Sequence, residues 1–169
     1  PPPSSCKSLV CPVVTTTSVA PKGWSTVRLH VKLGGAAKSA YTIIGSSKGA
    51  MTIPAAWQKK TFGQNFGGVS KDIIKIFKDA GFDSWLTVGI TGGDSSNALG
   101  NAGMKDSLKV WSPSSGGFGK GFTNKDCGLF WMNPAKTSAK GKGKIVLGQL
   151  TLKKGAKLSA QMGVSGKTG

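Results

Sequence analysis

Gly45-Ser46-Ser47-Lys48-Gly49 is the segment whose residue types and spacing come nearest to a catalytic motif. It matches G-x-S-x-G, the turn that exposes the nucleophilic serine of serine hydrolases between a strand and a helix. Here the pattern that follows is Met51-Thr52-Ile53-Pro54, and the only histidine, His30, lies before the serine instead of after it. Without a base the serine hydroxyl stays unactivated. We therefore interpret the segment as a turn between strands.

The acidic residues offer little for acid–base or metal chemistry. The chain has six aspartates and no glutamate, and acid–base catalysis by carboxylates needs two whose pKa values are pushed apart. Asp83 is the best candidate because Phe82 and Trp85 flank it, yet such an aspartate usually accepts hydrogen bonds from turn amides. Asp94 and Asn97 could ligate calcium, but the local excess of lysine opposes a cation. We predict that the protein is not an enzyme and has no cofactor and no metal.

Three cysteines leave two interpretations open. Cys6 and Cys11 lie five residues apart in a Pro/Ser/Thr-rich stretch, where they could close a small disulfide loop or remain thiols. Cys127 lies beside an apolar run, which predicts a buried thiol. A zinc site would need C-x2-C pairs or histidines, and the sequence has neither arrangement.

Positive charge is the strongest functional signal in the sequence. The chain has 23 basic and six acidic residues, a net charge of +17, and Arg28 is its only arginine. Such a surface attracts anionic partners over long distances. Because sequence-specific nucleic-acid binding normally uses arginine for paired contacts to bases, we do not expect nucleic acid as a partner. Acidic protein faces, acidic glycans and lipid headgroups remain, and loop lysines can also serve solubility alone.

Lysines in glycine- and serine-rich loops and two tryptophans are the candidate binding residues. We expect Trp57 and Trp111 to reach the surface, where either one, with Lys59 and Lys60, would form a sugar-stacking platform, although core packing is the usual role of tryptophan. The remaining candidates are Lys120, Lys125, Lys136, Lys140, Lys142 and Lys144.

The elements that must position these residues read as strands. Residues 25–33 alternate apolar and polar side chains, which places His30 on the polar, solvated face. Residues 70–78 have apolar residues at helical spacing but are dense in strand formers, and we favour a strand. Further strands are predicted at 40–44, 51–53, 84–90, 108–111, 128–132, 144–152 and 158–164, with Trp85 and Trp131 in the core.

Together these patterns predict an all-β protein. The expected architecture is an antiparallel β-sandwich, jelly-roll-like, of eight or nine strands over residues 24–169. Residues 1–23 are expected to form an extended, Pro-rich arm in which Pro12 prevents regular pairing. No apolar run of about 18 residues occurs, so no membrane-spanning segment is expected, and peripheral membrane contact stays open.

Five segments in order over roughly residues 41–166 carry a further pattern: Ile53-Pro54-Ala55-Ala56-Trp57-Gln58, Phe62-Gly63-Gln64-Asn65-Phe66-Gly67-Gly68-Val69, Phe82-Asp83-Ser84-Trp85-Leu86-Thr87-Val88-Gly89-Ile90-Thr91, Gly128-Leu129-Phe130-Trp131-Met132-Asn133-Pro134 and Gly148-Gln149-Leu150-Thr151. The third is the most specific. In this order they resemble a domain of marine algal proteins of diatom, haptophyte and dinoflagellate type. The resemblance implies no catalytic residues.

The resemblance and the charge together shape the functional expectation. The family pattern is acidic to neutral, whereas this chain is basic. We expect a non-catalytic structural or linker subunit that docks on acidic surfaces of a larger protein complex. The family often has secreted or repeated architectures, and the basic charge of this chain argues against an extracellular role. For an algal lineage we expect a plastid location, thylakoid-associated or stromal, in a photosystem–antenna or pyrenoid-associated complex. The alternative is a lectin-like module for acidic glycans that is secreted or at the cell surface.

Overall fold

The computed structural model describes residues 8–17 and 20–169 and is built mainly of antiparallel strands, which confirms the predicted all-β class. In chain order the strands are Val10–Thr16 (β1), Trp24–Leu33 (β2), Ala37–Gly45 (β3), Met51–Ile53 (β4), Trp57–Gln58 (β5), Trp85–Leu86 (β6), Leu99–Ala102 (β7), Gly117–Phe118 (β8), Phe122–Asn124 (β9), Cys127–Trp131 (β10), Lys144–Lys153 (β11) and Gly163–Thr168 (β12).

Two four-stranded sheets carry the architecture. One has the order β1-β2-β11-β6 and the other β12-β3-β10-β7, while β4 with β9 and β5 with β8 form two small ribbons. Side chains from both large sheets, among them Val31, Leu147, Ile43 and Leu129, belong to one hydrophobic core. Two sheets that share a core in this way are what a sandwich requires.

The polar face of β2 is less solvated than its alternation indicates. Val27, Leu29 and Val31 are buried as predicted. His30, on the other face, is half-buried, and its Nε2 lies 2.8 Å from Thr15 Oγ1. The prediction of a solvated His30 is wrong because β1 and β11 flank the strand on both sides.

The middle of the predicted arm, Val10–Thr16, is a regular strand. In β1, Pro12 lies opposite Val31 within an unbroken register to β2, so the expectation that Pro12 prevents pairing is wrong. Because β1 is an edge strand, a residue without an amide hydrogen is tolerated there. Cys11 takes part in a disulfide bond. The pairing with Cys6, which the sequence left open, lies outside the described residues, because residues 1–7 are not among them. Cys127 is a buried thiol, as predicted.

Two short α-helices stand where strands were predicted. Lys71–Ile76 forms α1, whose first turn is capped by Ser70 Oγ accepting a hydrogen bond from the Ile73 amide at 3.3 Å. Lys105–Trp111 forms α2. The strands predicted at 70–78 and 108–111 are therefore wrong. The serine cap favours a helix in the first segment, and burial against the core favours a helix in the second.

Other boundaries also differ from the prediction. The strand predicted at 84–90 is reduced to β6, which follows a 3-10 helix at Lys78–Phe82. Another 3-10 helix occupies Pro134–Lys136. The last strand begins at Gly163 and not at residue 158, because residues 154–160 form a turn and an irregular segment after β11.

Candidate functional site

Five exposed lysines lie near the ends of β2, β11 and β12 and in the connection between the two large sheets. We call this set the basic strip; it consists of Lys32, Lys140, Lys142, Lys144 and Lys167. Residues 140–144 carry it from one sheet to the other, because Lys140 bridges to β3 whereas Lys144 begins β11. The connection between the sheets therefore holds three of the five charges.

Strand register brings the other two lysines to the strip. Lys144 lies directly opposite Lys32 on β2. On the other sheet, Ser39 has Lys140 on one side and Lys167 on the other. Directly paired residues place their side chains on the same face, and neighbouring strands are about 5 Å apart. The lysines thus stand in rows that only the register creates.

The positive charge of the strip is not neutralised within the described part of the chain. The lysines there that form ion pairs are Lys59, Lys75 and Lys109, and none belongs to the strip. Like charges directly opposite each other on neighbouring strands are destabilising. An anionic partner would therefore reduce the repulsion between Lys32 and Lys144.

The field of the strip extends to His30. Burial lowers the pKa of His30 first, and the charges of Lys144 and Arg28 lower it further. The ring is therefore neutral at pH 7. His30 Nδ1 has no hydrogen-bond partner among the described residues, and the neutral ring adds no charge to the strip.

The predicted loop lysines are divided between this strip and the rest of the surface. Lys140, Lys142 and Lys144 lie together, and Lys136 lies exposed at the end of the 3-10 helix just before them. Lys120 and Lys125 are exposed but belong to other loops, and Lys125 is next to Asp126 near the opposite end of β3. The structure does not bring those two to the strip.

The predicted sugar platform is not assembled. Trp111 is fully buried, so the expectation that it reaches the surface is wrong; its Nε1 donates to the Pro54 carbonyl at 3.0 Å. Trp57 is half-buried, with its ring 5.1 Å from that of Trp24. Lys59 forms an ion pair with Asp79 at 2.6 Å. Trp85 and Trp131 are buried as predicted.

Lys60, the remaining residue of that platform, is exposed. No described carboxylate pairs with it.

Asp83 is the buried carboxylate of the molecule, and its contacts are structural. Burial raises its pKa to about 6, against the lowering effect of backbone hydrogen bonds from Lys59, Gln64 and Ser84. Its two oxygens accept from the Lys59 amide at 2.8 Å and the Gln64 amide at 2.6 Å. The carboxyl group thus fixes the loop between those residues.

The other catalytic and metal candidates have ordinary surroundings. Ser46 exchanges backbone hydrogen bonds with Gly49, which confirms the turn between β3 and β4. Asp94 accepts hydrogen bonds from the amides of Ala98 and Leu99, both at 2.8 Å. Within residues 8–17 and 20–169, no three His, Cys, Asp or Glu side chains gather as a possible metal site.

Comparisons with known proteins identify no relative of this chain. No family model matches the chain, and neither a search of curated proteins nor one of solved structures found a match. Among the described residues, no helix has the length and apolar character needed to cross a membrane.

Proposed function

We propose that the protein is a non-catalytic structural or linker subunit that docks through the basic strip onto an acidic surface of a larger assembly. The observation that carries this proposal is the row geometry of the strip, where Lys32 faces Lys144 and Lys140 and Lys167 flank Ser39. Five lysine charges that no described carboxylate pairs with make a localised positive surface that is available to an anionic partner. Loop lysines that served solubility alone would not need this alignment.

Lysine suits this kind of contact. Its ammonium is a point charge on a mobile stem, which favours long-range attraction over paired, directional recognition. Exposed ion pairs contribute at most about 1 kcal/mol each, so useful affinity needs several lysines acting together. The same exposure makes the contact sensitive to salt. We therefore expect electrostatic complementarity to set the orientation and rate of docking more than its final strength.

The host assembly forms part of the same proposal. The resemblance to the marine algal domain favours a plastid complex, either photosystem–antenna or pyrenoid-associated, as the acidic partner. This part of the proposal rests on the resemblance alone. A secreted or cell-surface location belongs to the glycan alternative.

Binding of acidic glycans is the second candidate, and one cluster favours it. Trp24, Trp57 and Phe118 are half-buried neighbours, with Trp24 edge-on to Phe118 at 5.3 Å. Lys153 Nζ lies 5.4 Å from the Phe118 ring. A partly exposed aromatic ring beside a lysine could stack on an acidic sugar. Glycan-array binding that survives Trp57→Ala would remove this candidate.

Native purification at low ionic strength tests the docking proposal. We expect the chain to elute with a larger complex whose other members expose acidic faces, and to leave it in high salt because surface charges are then screened. A chain that elutes as a monomer at low and high salt alike contradicts the proposal. So does a complex that stays intact in high salt, because its contact would be mainly apolar.

A further inference from the structure

A second surface consists of exposed apolar side chains and shares no residue with the strip. Ile76, Phe62 and Phe77 expose 75%, 46% and 38% of their surface. The rings of Phe62 and Phe77 stack at 4.7 Å between centroids and 24° between planes. Ile76 directly precedes Phe77 in the chain. Single exposed apolar residues are ordinary, whereas larger exposed apolar patches mark interaction sites. We call these three residues the apolar corner.

The backbone holds the apolar corner outward at an energetic cost. Phe62 has φ 65°, a left-handed conformation that a bulky residue rarely adopts. Such conformations cost about 1–3 kcal/mol and are found where the surrounding structure enforces them. The buried Asp83 carboxylate does so here, because it binds the amides of Lys59 and Gln64 on either side of Phe62. The ring is thus preorganised in an exposed position.

The segment that carries the apolar corner is rich in lysine. Residues 59–79 contain five lysines against two aspartates, a surplus of three positive charges. Lys59 Nζ lies 6.0 Å from the Phe77 ring. Three of the five lysines form no ion pair with any described residue: Lys60, Lys71 and Lys78. The surroundings of the corner therefore favour an anionic partner.

We propose that the apolar corner inserts into the surface of an anionic lipid bilayer. Apolar side chains that enter the boundary between headgroups and acyl chains, together with lysines at the headgroups, are what peripheral membrane binding requires. Lipid suits this surface better than a protein partner: Ile76 is the last residue of a six-residue helix with no buried residue, and a protein partner would need a matching pocket for the exposed side chains. The observations are independent of the basic strip.

Co-sedimentation with vesicles tests this proposal. The wild-type chain should bind phosphatidylcholine vesicles that contain about 30 mol % phosphatidylserine, and bind pure phosphatidylcholine vesicles far less. Ile76→Ser should lower the partition coefficient about tenfold, because the variant transfers much less apolar surface from water into the lipid. Val110→Ser is the matched control, because Val110 is 45% exposed on the other short helix. It should bind like the wild type.

Phe62→Gly provides an independent check of vesicle binding, because weaker binding by this variant cannot be attributed to unfolding. Glycine adopts positive φ without strain, so this variant should keep its stability yet bind vesicles several-fold more weakly. Equal partitioning of wild type, Ile76→Ser and Phe62→Gly would overturn the proposal, as would no binding by the wild type. If Ile76→Ser instead weakens binding to a Glu-rich peptide while vesicles stay unbound, the corner is a protein contact and the lipid proposal is wrong.

Discussion

The two short helices, α1 and α2, are alike in sequence and opposite in energetic role. Each carries an exposed Asp–Lys pair three residues apart, Asp72–Lys75 in α1 and Asp106–Lys109 in α2. However, α2 ends in the fully buried Trp111, whereas no residue of α1 is buried. The first helix therefore belongs to the surface and the second to the core. Local composition did not distinguish them; what each helix packs against did.

Trp111 should give the largest effect, because it anchors α2. Its ring meets Phe122 edge-on at 6.2 Å and its Nε1 donates to the Pro54 carbonyl. Trp111→Ala should lower the free energy of unfolding by about 3–5 kcal/mol, measured by urea denaturation. Trp111→Phe keeps an aromatic ring and should cost less. A loss below about 1 kcal/mol for alanine would show that α2 is not anchored in the core.

The loop beside α1 should respond to pH through Asp83. Burial raises the pKa of Asp83 to about 6 from an ordinary value of 3.8, so the folded state binds the proton more tightly than the unfolded chain. Its contribution to stability is thus fully present below pH 4, is lost as the pH rises to 6, and stays constant above. The change should be at most about 3 kcal/mol.

A control variant isolates that contribution from His30. The pKa of His30 is lowered by burial and by Lys144 and Arg28, so its contribution is lost as the pH falls and opposes that of Asp83. Urea denaturation of wild type and Asp83→Asn at a series of pH values separates the two effects. The difference between the two proteins should shift between pH 4 and 6. If that difference does not depend on pH, Asp83 has an ordinary pKa in the folded state.

The smallest effect on stability should come from the exposed residues of both helices. Ile76→Ser and Val110→Ser each remove a side chain that is already largely in water. We expect either substitution to change the free energy of unfolding by less than about 0.5 kcal/mol. Thermal unfolding would check this. A large loss for Ile76→Ser alone would mean that α1 supports the fold, contrary to the comparison.

The strands were more predictable than the helices, for a physical reason. Alternation over ten residues identifies β2, because period two persists along the whole element. At α2, the N-cap Met104 and the helical Leu108 and Trp111 already have helical spacing in the sequence, but the helix has only seven residues. In α1 the cap by Ser70 favours the helix over the strand that the composition predicts. Elements of six or seven residues depend on capping and tertiary contacts more than on their own periodicity.

The basic strip could be predicted only in part. Lys140, Lys142 and Lys144 stand close in the sequence, and their loop is evident from glycine and charge. Lys32 and Lys167 are far away in the chain and join the strip only through strand pairing. A single sequence does not contain that register, since it arises from which strands become neighbours. The apolar corner depends in the same way on tertiary packing.

Affinity for a fluorescent Glu-rich peptide, compared between two charge-matched variants, tests the docking account most directly. One variant replaces the five strip lysines with glutamine. The other replaces Lys22, Lys48, Lys105, Lys120 and Lys125, which are exposed outside the strip. Both lower the net charge from +17 by five. The account predicts that only the strip variant loses binding, by about tenfold or more. It also predicts that the affinity of the strip variant for the peptide depends less on salt than that of the wild type. Equal losses in both variants would show a general charge effect and contradict a docking surface.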